Sequence, residues 1–464
     1  MKATLVYCDT GKGVQPPLGI AYVASYVRKY GGHKIEILDL GAGDKIRRLD
    51  SPDYIGITST TTMFPESRRT IKALKEIHPD VPVIIGGVHV TALPETIKDD
   101  LFDIGVIGEG EKTMLEILDG KPLEEIQGIV FKKDGKIIQN PPRPLIQDLD
   151  STPFPARDLL RMEEYYIKPK QVIRGVLRRS TQIMSSRGCP YNCIFCGSCV
   201  MWHRKVRAYS PDYVISELHE LIDKYRVEAV YFQDDMLSFD KKRLHEICSR
   251  MKEEGITDKI IWSCQLRANL TSKEVIDEIK GAGCIQAEFG FESGSEKTLK
   301  NLKGGSVTVE DNRKAVELCN SAGIRILGNF LIGSPGETRK DIAESMDFIR
   351  KNRMDFVHLH ILTPFPGTDL WELVKDKPEA YEWENFSMSN TDENMIVADK
   401  LSRKELMELY AEMKKEIDGI NYSRMEFRLS DVLEPSVLKR ALAHPVRTLK
   451  RAASIIASKM MRKQ

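Results

Sequence analysis

Over the first 110 positions, short apolar runs alternate with amphipathic stretches of helical period. ATLVYC (3–8), KIEILDL (34–40), YIGITST (54–60), VPVIIGG (81–87) and DIGVIGEG (103–110) each read as a buried strand. LGIAYVASYVRKYG (18–31), stopped at Gly31 and Gly32, and PESRRTIKALKEIH (65–78) read as helices between them. Strands alternating with helices predict an α/β fold whose N-terminal part is a doubly wound parallel sheet of Rossmann type. The segment GIVFKKDGKIIQN (128–140) adds a hairpin turned at Asp134-Gly135 and closes a first domain at 1–140. Next comes the proline-bearing stretch NPPRPLIQDLDSTPFPARDLL (140–160), which predicts a linker over 141–178.

A second series starts near Arg179. STQIMSS, AVYFQDD, IIWSCQLR, QAEFGFES, RILGNFLIG and FVHLHILTPFPG are strand-like, separated by helical patterns such as PDYVISELHELIDKYR (211–226). Six such units over 179–384 predict a partial (β/α)6 barrel of TIM type, with its chemistry at the C-terminal strand ends. From 385 to 464 the pattern turns helical and charged. In the first domain ligands are likewise expected outside the carboxyl ends of the strands. Those ends carry Thr58, Ser59, Gly86, Gly87, Gly108, Glu109 and Gly110, small or polar positions where backbone can approach a large ligand.

Composition narrows the function classes. At 464 residues the chain has room for two or three domains, and 41% hydrophobic with 30% charged residues describes a globular protein. A net charge of +1 argues against a nucleic-acid binder governed by bulk charge, and no aromatic-interleaved basic patch offers an alternative. The N-terminus MKATLVYCDTGKG lacks a signal-peptide shape, and no apolar run nears the roughly 18 residues of a membrane span.

Nine cysteines, four of them inside RGCPYNCIFCGSC (187–199), make a poor disulfide framework. A reducing cytoplasm, with the cluster of thiols holding a metal, accounts for them better. Cys189, Cys193 and Cys196 form a C-x-x-x-C-x-x-C set directly after a strand. Three thiolates on one loop can hold an iron–sulfur cube with one iron open to a ligand. The alternative is structural zinc on Cys193, Cys196 and Cys199 with a distant fourth ligand, although zinc motifs usually come as two C-x-x-C pairs and no second pair exists here.

GCPYNCIFC resembles the signature of the radical S-adenosylmethionine enzymes. The resemblance implies a 4Fe-4S cluster on Cys189, Cys193 and Cys196, whose open iron chelates S-adenosylmethionine, with Phe195 beside the adenine. It also implies one-electron cleavage to a 5′-deoxyadenosyl radical, fed by an external donor such as ferredoxin or flavodoxin. On the later strand ends it points to Asp234 and Asp235, to Gln265 and Arg267, to Glu292 and Ser293, and to Gly333 within GNFLIGSPGET, as S-adenosylmethionine contacts. Each carboxylate or hydroxyl has the plainer reading of a helix cap.

PPLGIAYVASYVRKYGGHKIEILD, IIGGVHVTALPE and VIGEGE resemble the cobalamin-binding domain of the cobalamin-dependent members. Cobalamin would then lie on Thr58, Ser59, Gly86, Gly87, Gly108, Glu109 and Gly110. The chain lacks a D-x-H-x-x-G motif, whose histidine replaces the lower axial base in corrinoid methyltransferases, and His89 reads as an ordinary loop residue. The activity implied is functionalisation of an unactivated carbon, with methylation leading. Cyclisation, oxidation or carbon–carbon coupling is the runner-up, and a corrinoid- or zinc-binding sensor is the non-enzymatic alternative. Methylthio transfer is disfavoured, because only Cys8 precedes the cluster.

After Glu434 no acid remains, and PSVLKRALAHPVRTLKRAASIIASKMMRKQ (435–464) carries eight Lys or Arg. Leu449, Ala452, Ala453, Ile456 and Met460 fall at helical spacing. Two readings stand for 445–464: a helix on the inner face of an anionic membrane, which makes a lipid substrate attractive, or a solvated tail.

Overall fold

The computed structural model describes residues 1–9, 15–165, 179–386 and 396–424. The first sheet has seven strands: β1 (Lys2–Tyr7), β2 (Lys34–Asp39), β3 (Tyr54–Thr58), β4 (Val83–Gly86), β5 (Ile104–Val106), β6 (Ile129–Lys133) and β7 (Lys136–Gln139). Their order is β2-β1-β3-β4-β5-β6-β7; the first five run parallel, and the hairpin β6–β7 adds on antiparallel. Asp134 and Gly135 both take positive φ, at 49° and 72°, as the two-residue turn requires.

Helices α1 (Leu18–Gly31) and α4 (Glu111–Leu118) cover one face and α2 (Phe64–Ile77) the other, while the short α3 (Val88–Ala92) follows β4. Ile20, Ala24 and Val27 of α1 pack with Met114 and Ile117 of α4, whereas Phe64, Ile71 and Leu74 of α2 fill the opposite core. The two separate cores explain why the strands read as continuous apolar runs.

The second sheet holds β8 (Ser180–Ile183), β11 (Ala229–Phe232), β12 (Ile261–Leu266), β13 (Cys284–Glu292), β14 (Arg325–Ile332) and β15 (Phe356–Ile361). All pairs are parallel, in the order β15-β14-β13-β12-β11-β8, an open six-stranded barrel wall. A two-stranded ribbon, β9 (Ser186–Arg187) with β10 (Arg207–Ala208), stands at the mouth, and between them runs α5 (Ser198–Trp202). Helices α6 (Pro211–Asp223), α7 (Lys241–Glu253), α8 (Lys273–Gly281), α9 (Glu296–Lys303), α10 (Val309–Ala322) and α11 (Arg339–Lys351) follow the strands. Capping boxes Thr308/Asp311 and Thr338/Asp341 start α10 and α11.

Along β13, β14 and β15, positions facing the helices are buried, whereas Glu288, Asn329, His358 and His360 on the inner face stay half-buried. That alternation marks the inner face as an open lumen. Helix α12 (Arg403–Arg424) covers the β15 edge, where Asn421 exchanges two 2.8 Å hydrogen bonds with the backbone of Val357.

The stretch expected to be a linker is packed instead over 141–165. Ile146, Leu149, Ala156 and Leu160 are buried, and Tyr165 donates to Asp39 at 2.6 Å. Arg157, 1% exposed, pairs with Glu217 on α6 at 2.7 Å and donates to the Gln182 carbonyl. Apolar residues spaced between the prolines make a strap joining both sheets, which proline content alone conceals. Among the described residues no helix is long and apolar enough to cross a membrane. The tail at 445–464 lies outside the described residues.

Candidate functional site

The thiol loop begins with a glycine that has no substitute. Gly188 has φ +98°, and a Cβ there would stand 2.1 Å from the Lys205 carbonyl oxygen. Beyond it Cys189, Cys193 and Cys196 are all free and half-buried. The loop is pinned across the barrel mouth by backbone: Ile194 N–H donates to Leu302 of α9, and Leu370, after β15, donates to Ile194. Phe195 packs against Leu302, Leu362 and Leu370. Arg267 lies 3.6 Å over the Tyr191 ring inside the thiol set, with its Nη1 3.7 Å from Cys193 Sγ. Asn269 donates to the Tyr191 hydroxyl at 3.3 Å.

Burial pushes the Cys196 thiol up to about 12 and raises Cys189 as well. Such thiols ionise only against a bound cation, as metal ligands do. Among the described residues no three His, Cys, Asp or Glu side chains are gathered around a single metal ion's position. The donor set fits a cluster in its chemistry: three thiols on one glycine-hinged loop with a guanidinium beside them. Cys199 sits outside the trio, donating to the Cys196 carbonyl at 3.2 Å.

The other expected S-adenosylmethionine contacts divide. Asp235 is exposed at the mouth and accepts from Ser198 at 2.6 Å; Gln265 donates to the Tyr231 hydroxyl at 2.7 Å. A β-bulge at the end of β13 re-aims Glu292, which holds φ +62° and pairs with Lys303 at 3.2 Å. A non-glycine residue kept in the left-handed region costs about 1–3 kcal/mol and is typical of working sites.

Three of the expected contacts already have partners within the protein. Asp234 is fully buried, its carboxylate taken by the Ser185 N–H and by the hydroxyls of Ser185 and Ser186 at 2.5–2.7 Å. It ties the segment after β8 to the end of β11, and burial raises its pKa. Ser293 is likewise buried, 2.9 Å from Ser345 on α11, and receives the Ser295 N–H. Gly333 has φ +91°, but its N–H is occupied by Glu337 at 2.7 Å.

Sequence reasoning missed the lumen. Tyr231 donates to Glu288 at 3.3 Å, Asn329 donates to the other Glu288 oxygen at 2.8 Å, and Asn329 Oδ1 lies 3.2 Å from His358 Nδ1. The His358 and His360 rings are 5.6 Å apart. Desolvation raises the Glu288 pKa. The signal was present as polar pairs two positions apart, His358 and His360 in FVHLHI and Gln286 and Glu288 in QAEFGFE.

A cavity of about 260 Å³ opens at the carboxyl ends of β3, β4 and β5. Thr58, Gly86, Gly87, Gly108, Glu109 and Gly110 line it; Ser59 does not, being buried behind and bonded to Ser67 and Thr60. Six lining positions are glycine, and at Gly87 (φ +97°) a Cβ would stand 2.6 Å from the Ser59 carbonyl. Bare backbone of this kind fits a bulky planar ligand.

The barrel supplies the remaining wall through Met184, Arg187, Met201 and Trp202. Glu109 stands in this wall with its carboxylate held by Arg187 at 2.6 Å and Arg207 at 2.9 Å. Among the described residues no histidine lines the cavity. His89 is buried, stacked 4.0 Å from Phe64 with Trp383 edge-on, and burial lowers its pKa to about 3.

Residues 183–349 match the Radical SAM superfamily, and residues 4–118 match the B12 binding domain. An uncharacterized methyltransferase of Pyrococcus horikoshii, PH0819, is 38% identical over 392 residues, covering 80% of this chain and 83% of the relative. The anaerobic magnesium-protoporphyrin IX monomethyl ester cyclase of Rubrivivax gelatinosus is 27% identical over 416 residues, covering 85% and 72%. The solved radical S-adenosylmethionine methyltransferase TsrM of Kitasatospora setae, with cobalamin and a 4Fe-4S cluster bound, shares the fold at a TM-score of 0.64 and 19% identity, over 80% of this chain and 73% of TsrM. A B12 binding domain followed by a radical S-adenosylmethionine domain, in a chain with a methyltransferase relative this similar, places the protein in the family of cobalamin-dependent radical S-adenosylmethionine enzymes, whose cofactors are a 4Fe-4S cluster, S-adenosylmethionine and cobalamin.

Proposed function

We propose that the enzyme methylates an unactivated carbon of its substrate, at the place where the thiol loop, the glycine-lined cavity and the barrel lumen meet. One observation carries the reading. Residues 187–202 bear the three thiols in their middle and close the cavity with both ends, Arg187 on one side and Met201 with Trp202 on the other. Cys189, Cys193 and Cys196 would hold the cluster; Asp235, Gln265, Arg267 and Glu292 would frame S-adenosylmethionine; Thr58, Gly86, Gly87, Gly108 and Gly110 would seat the corrinoid. When bound, these groups supply the adenosyl radical and the transferable methyl group. The protein's part is placement, exclusion of water and substrate reading. The lumen side chains Glu288, Asn329, His358 and His360 supply the last, as half-buried hydrogen-bonding groups on the inner faces of β13, β14 and β15.

A second reading ends in oxidation or cyclisation without methyl transfer, and similarity to the Rubrivivax cyclase favours it. A lipid substrate rests on the basic tail at 445–464 alone. The test is anaerobic reconstitution with deuteromethyl-labelled S-adenosylmethionine. Expected are 5′-deoxyadenosine release and label in the product, with Cys193→Ala losing release while retaining bound cobalamin. Release with no label in any product turns the reading to the cyclase-like alternative.

A further inference from the structure

Four charged side chains meet where the corrinoid domain touches the barrel. Glu109, Glu111, Arg187 and Arg207 are each at most 8% exposed. Glu109 accepts from Arg187 Nη1 at 2.6 Å, from Arg207 Nη1 at 2.9 Å and from the Ile146 N–H at 2.7 Å. Arg187 Nη2 reaches Glu111 at 2.9 Å and the Tyr209 hydroxyl at 3.0 Å. The Trp202 ring lies within 6 Å of both guanidiniums, at 5.9 Å from Arg187 and 5.4 Å from Arg207. Two positive and two negative charges cancel inside a nearly dry enclosure.

Burying such a network costs several kcal/mol per ion, and apolar residues of similar volume often hold two surfaces together at least as well. What charged, directional contacts add is a fixed geometry. Here the geometry is placed to matter. Arg187 and Arg207 are register partners on β9 and β10, so the thiol loop leaves and returns through a pair of arginines. One residue, Gly188, separates Arg187 from Cys189. Both arginines close on a glutamate of the VIGEGE turn, whose neighbouring Gly108 and Gly110 line the cavity. A rotation of the ribbon would therefore move the thiols and the cavity wall together.

We infer that Arg187 and Arg207 are positioning residues: by gripping Glu109 and Glu111 they set the distance and tilt of the cluster relative to the corrinoid. The inference rests on the proposed occupancy of the cavity by cobalamin, and it explains why the GEGE glutamates are spent on arginine rather than on ligand. Helix α5 docks against α3 on the same side, where a side chain at Gly367 would collide with Val200 and stand 3.3 Å from Ala92, so the register is enforced at a second point.

The experiment compares wild type, Glu109→Gln, Arg187→Lys and Arg207→Lys after cluster reconstitution. Cobalamin affinity is read by absorbance titration. The separation of cob(II)alamin from the reduced cluster is read by pulsed dipolar EPR. Expected are a narrow distance distribution in wild type, a broadened one in all three variants, and a cobalamin Kd raised at least tenfold in Glu109→Gln, with iron content unchanged. Wild-type distances and affinity in Glu109→Gln and Arg187→Lys would overturn the inference, reducing the network to a fold staple. Should Glu109→Gln fail to fold, Arg207→Lys decides, since it keeps the charge but loses the double contact to Glu109 and the Ile146 carbonyl. Failure of wild type to bind cobalamin at all is a different result; it sinks the proposed function and leaves nothing for these residues to position.

Discussion

The cavity beside the first sheet and the lumen inside the barrel lie on opposite sides of one thiol loop, and they are built from contrasting materials. The cavity wall is glycine, aliphatic side chains, the rings of Tyr22 and Trp202, and ion pairs in which each carboxylate has an arginine. The lumen is polar and half-open, and Glu288 there is bonded to Tyr231 and Asn329, with no cation among those partners. A surface that needs backbone contact and cancelled charge suits a large cofactor of constant shape. A surface of adjustable donors and acceptors suits a substrate that must be recognised and released. On the proposed function, the difference separates a side that holds from a side that reads.

Two glycine substitutions should break the comparison most sharply. Gly188→Ala forces a Cβ against the Lys205 carbonyl, and Gly87→Ala forces one against Ser59. Each lies at positive φ, so a cost of about 3 kcal/mol or more is expected locally. Gly188→Ala should lose iron after reconstitution, with a smaller loss of cobalamin affinity through Trp202 of the cavity wall, while Gly87→Ala should lose cobalamin and keep iron. Loss of both groups in both variants would mean that the two sides do not fold independently enough to be contrasted.

A smaller effect is expected in the lumen. Glu288→Gln leaves cobalamin and iron in place but weakens substrate reading. The ratio of methylated product to 5′-deoxyadenosine should fall about tenfold, equal to 1.4 kcal/mol of lost coupling. An unchanged ratio would move substrate recognition out of the lumen.

What could be read in the chain beforehand follows the same division. Local patterns carried the two sheets, the hairpin at Asp134-Gly135 and the thiol set, because period-two and period-3.6 hydrophobicity and cysteine spacing are local quantities. The strand-end glycines were legible too, since bare backbone at a switch point is a local signature. Partners distant in sequence were not. Nothing near Glu109 announces that Arg187 and Arg207, 78 and 98 positions away, will occupy its carboxylate. Asp234 and Asp235 are adjacent and chemically alike, yet one is buried against Ser185 and Ser186 while the other opens to the mouth. Side-chain direction at a strand end depends on where the strand breaks, and that is a tertiary fact.

Proton sensitivity gives the finest distinction between the two sides. Glu337, at the loop after β14, is 1% exposed; its Oε2 accepts the N–H groups of Gly333 and Ser334 at 2.7 and 3.0 Å, and its Oε1 has no partner among the described residues. Burial raises its carboxyl from the ordinary 4.5 to about 7. The folded state therefore binds a proton more tightly than the unfolded one, so stability is greatest below about pH 4.5 and declines as pH rises through 7. The readout is local: hydrogen-exchange protection of the Gly333 and Ser334 amides, corrected for intrinsic exchange, should fall roughly tenfold to a hundredfold between pH 5 and pH 8, a change of about 1–3 kcal/mol. Glu337→Gln should flatten that slope and leave the pH dependence of β1 and β3 amide protection as it is in wild type. A flat profile in wild type would show that the carboxyl keeps its charge at neutral pH, and the loop after β14 would then hold no proton-sensitive anchor.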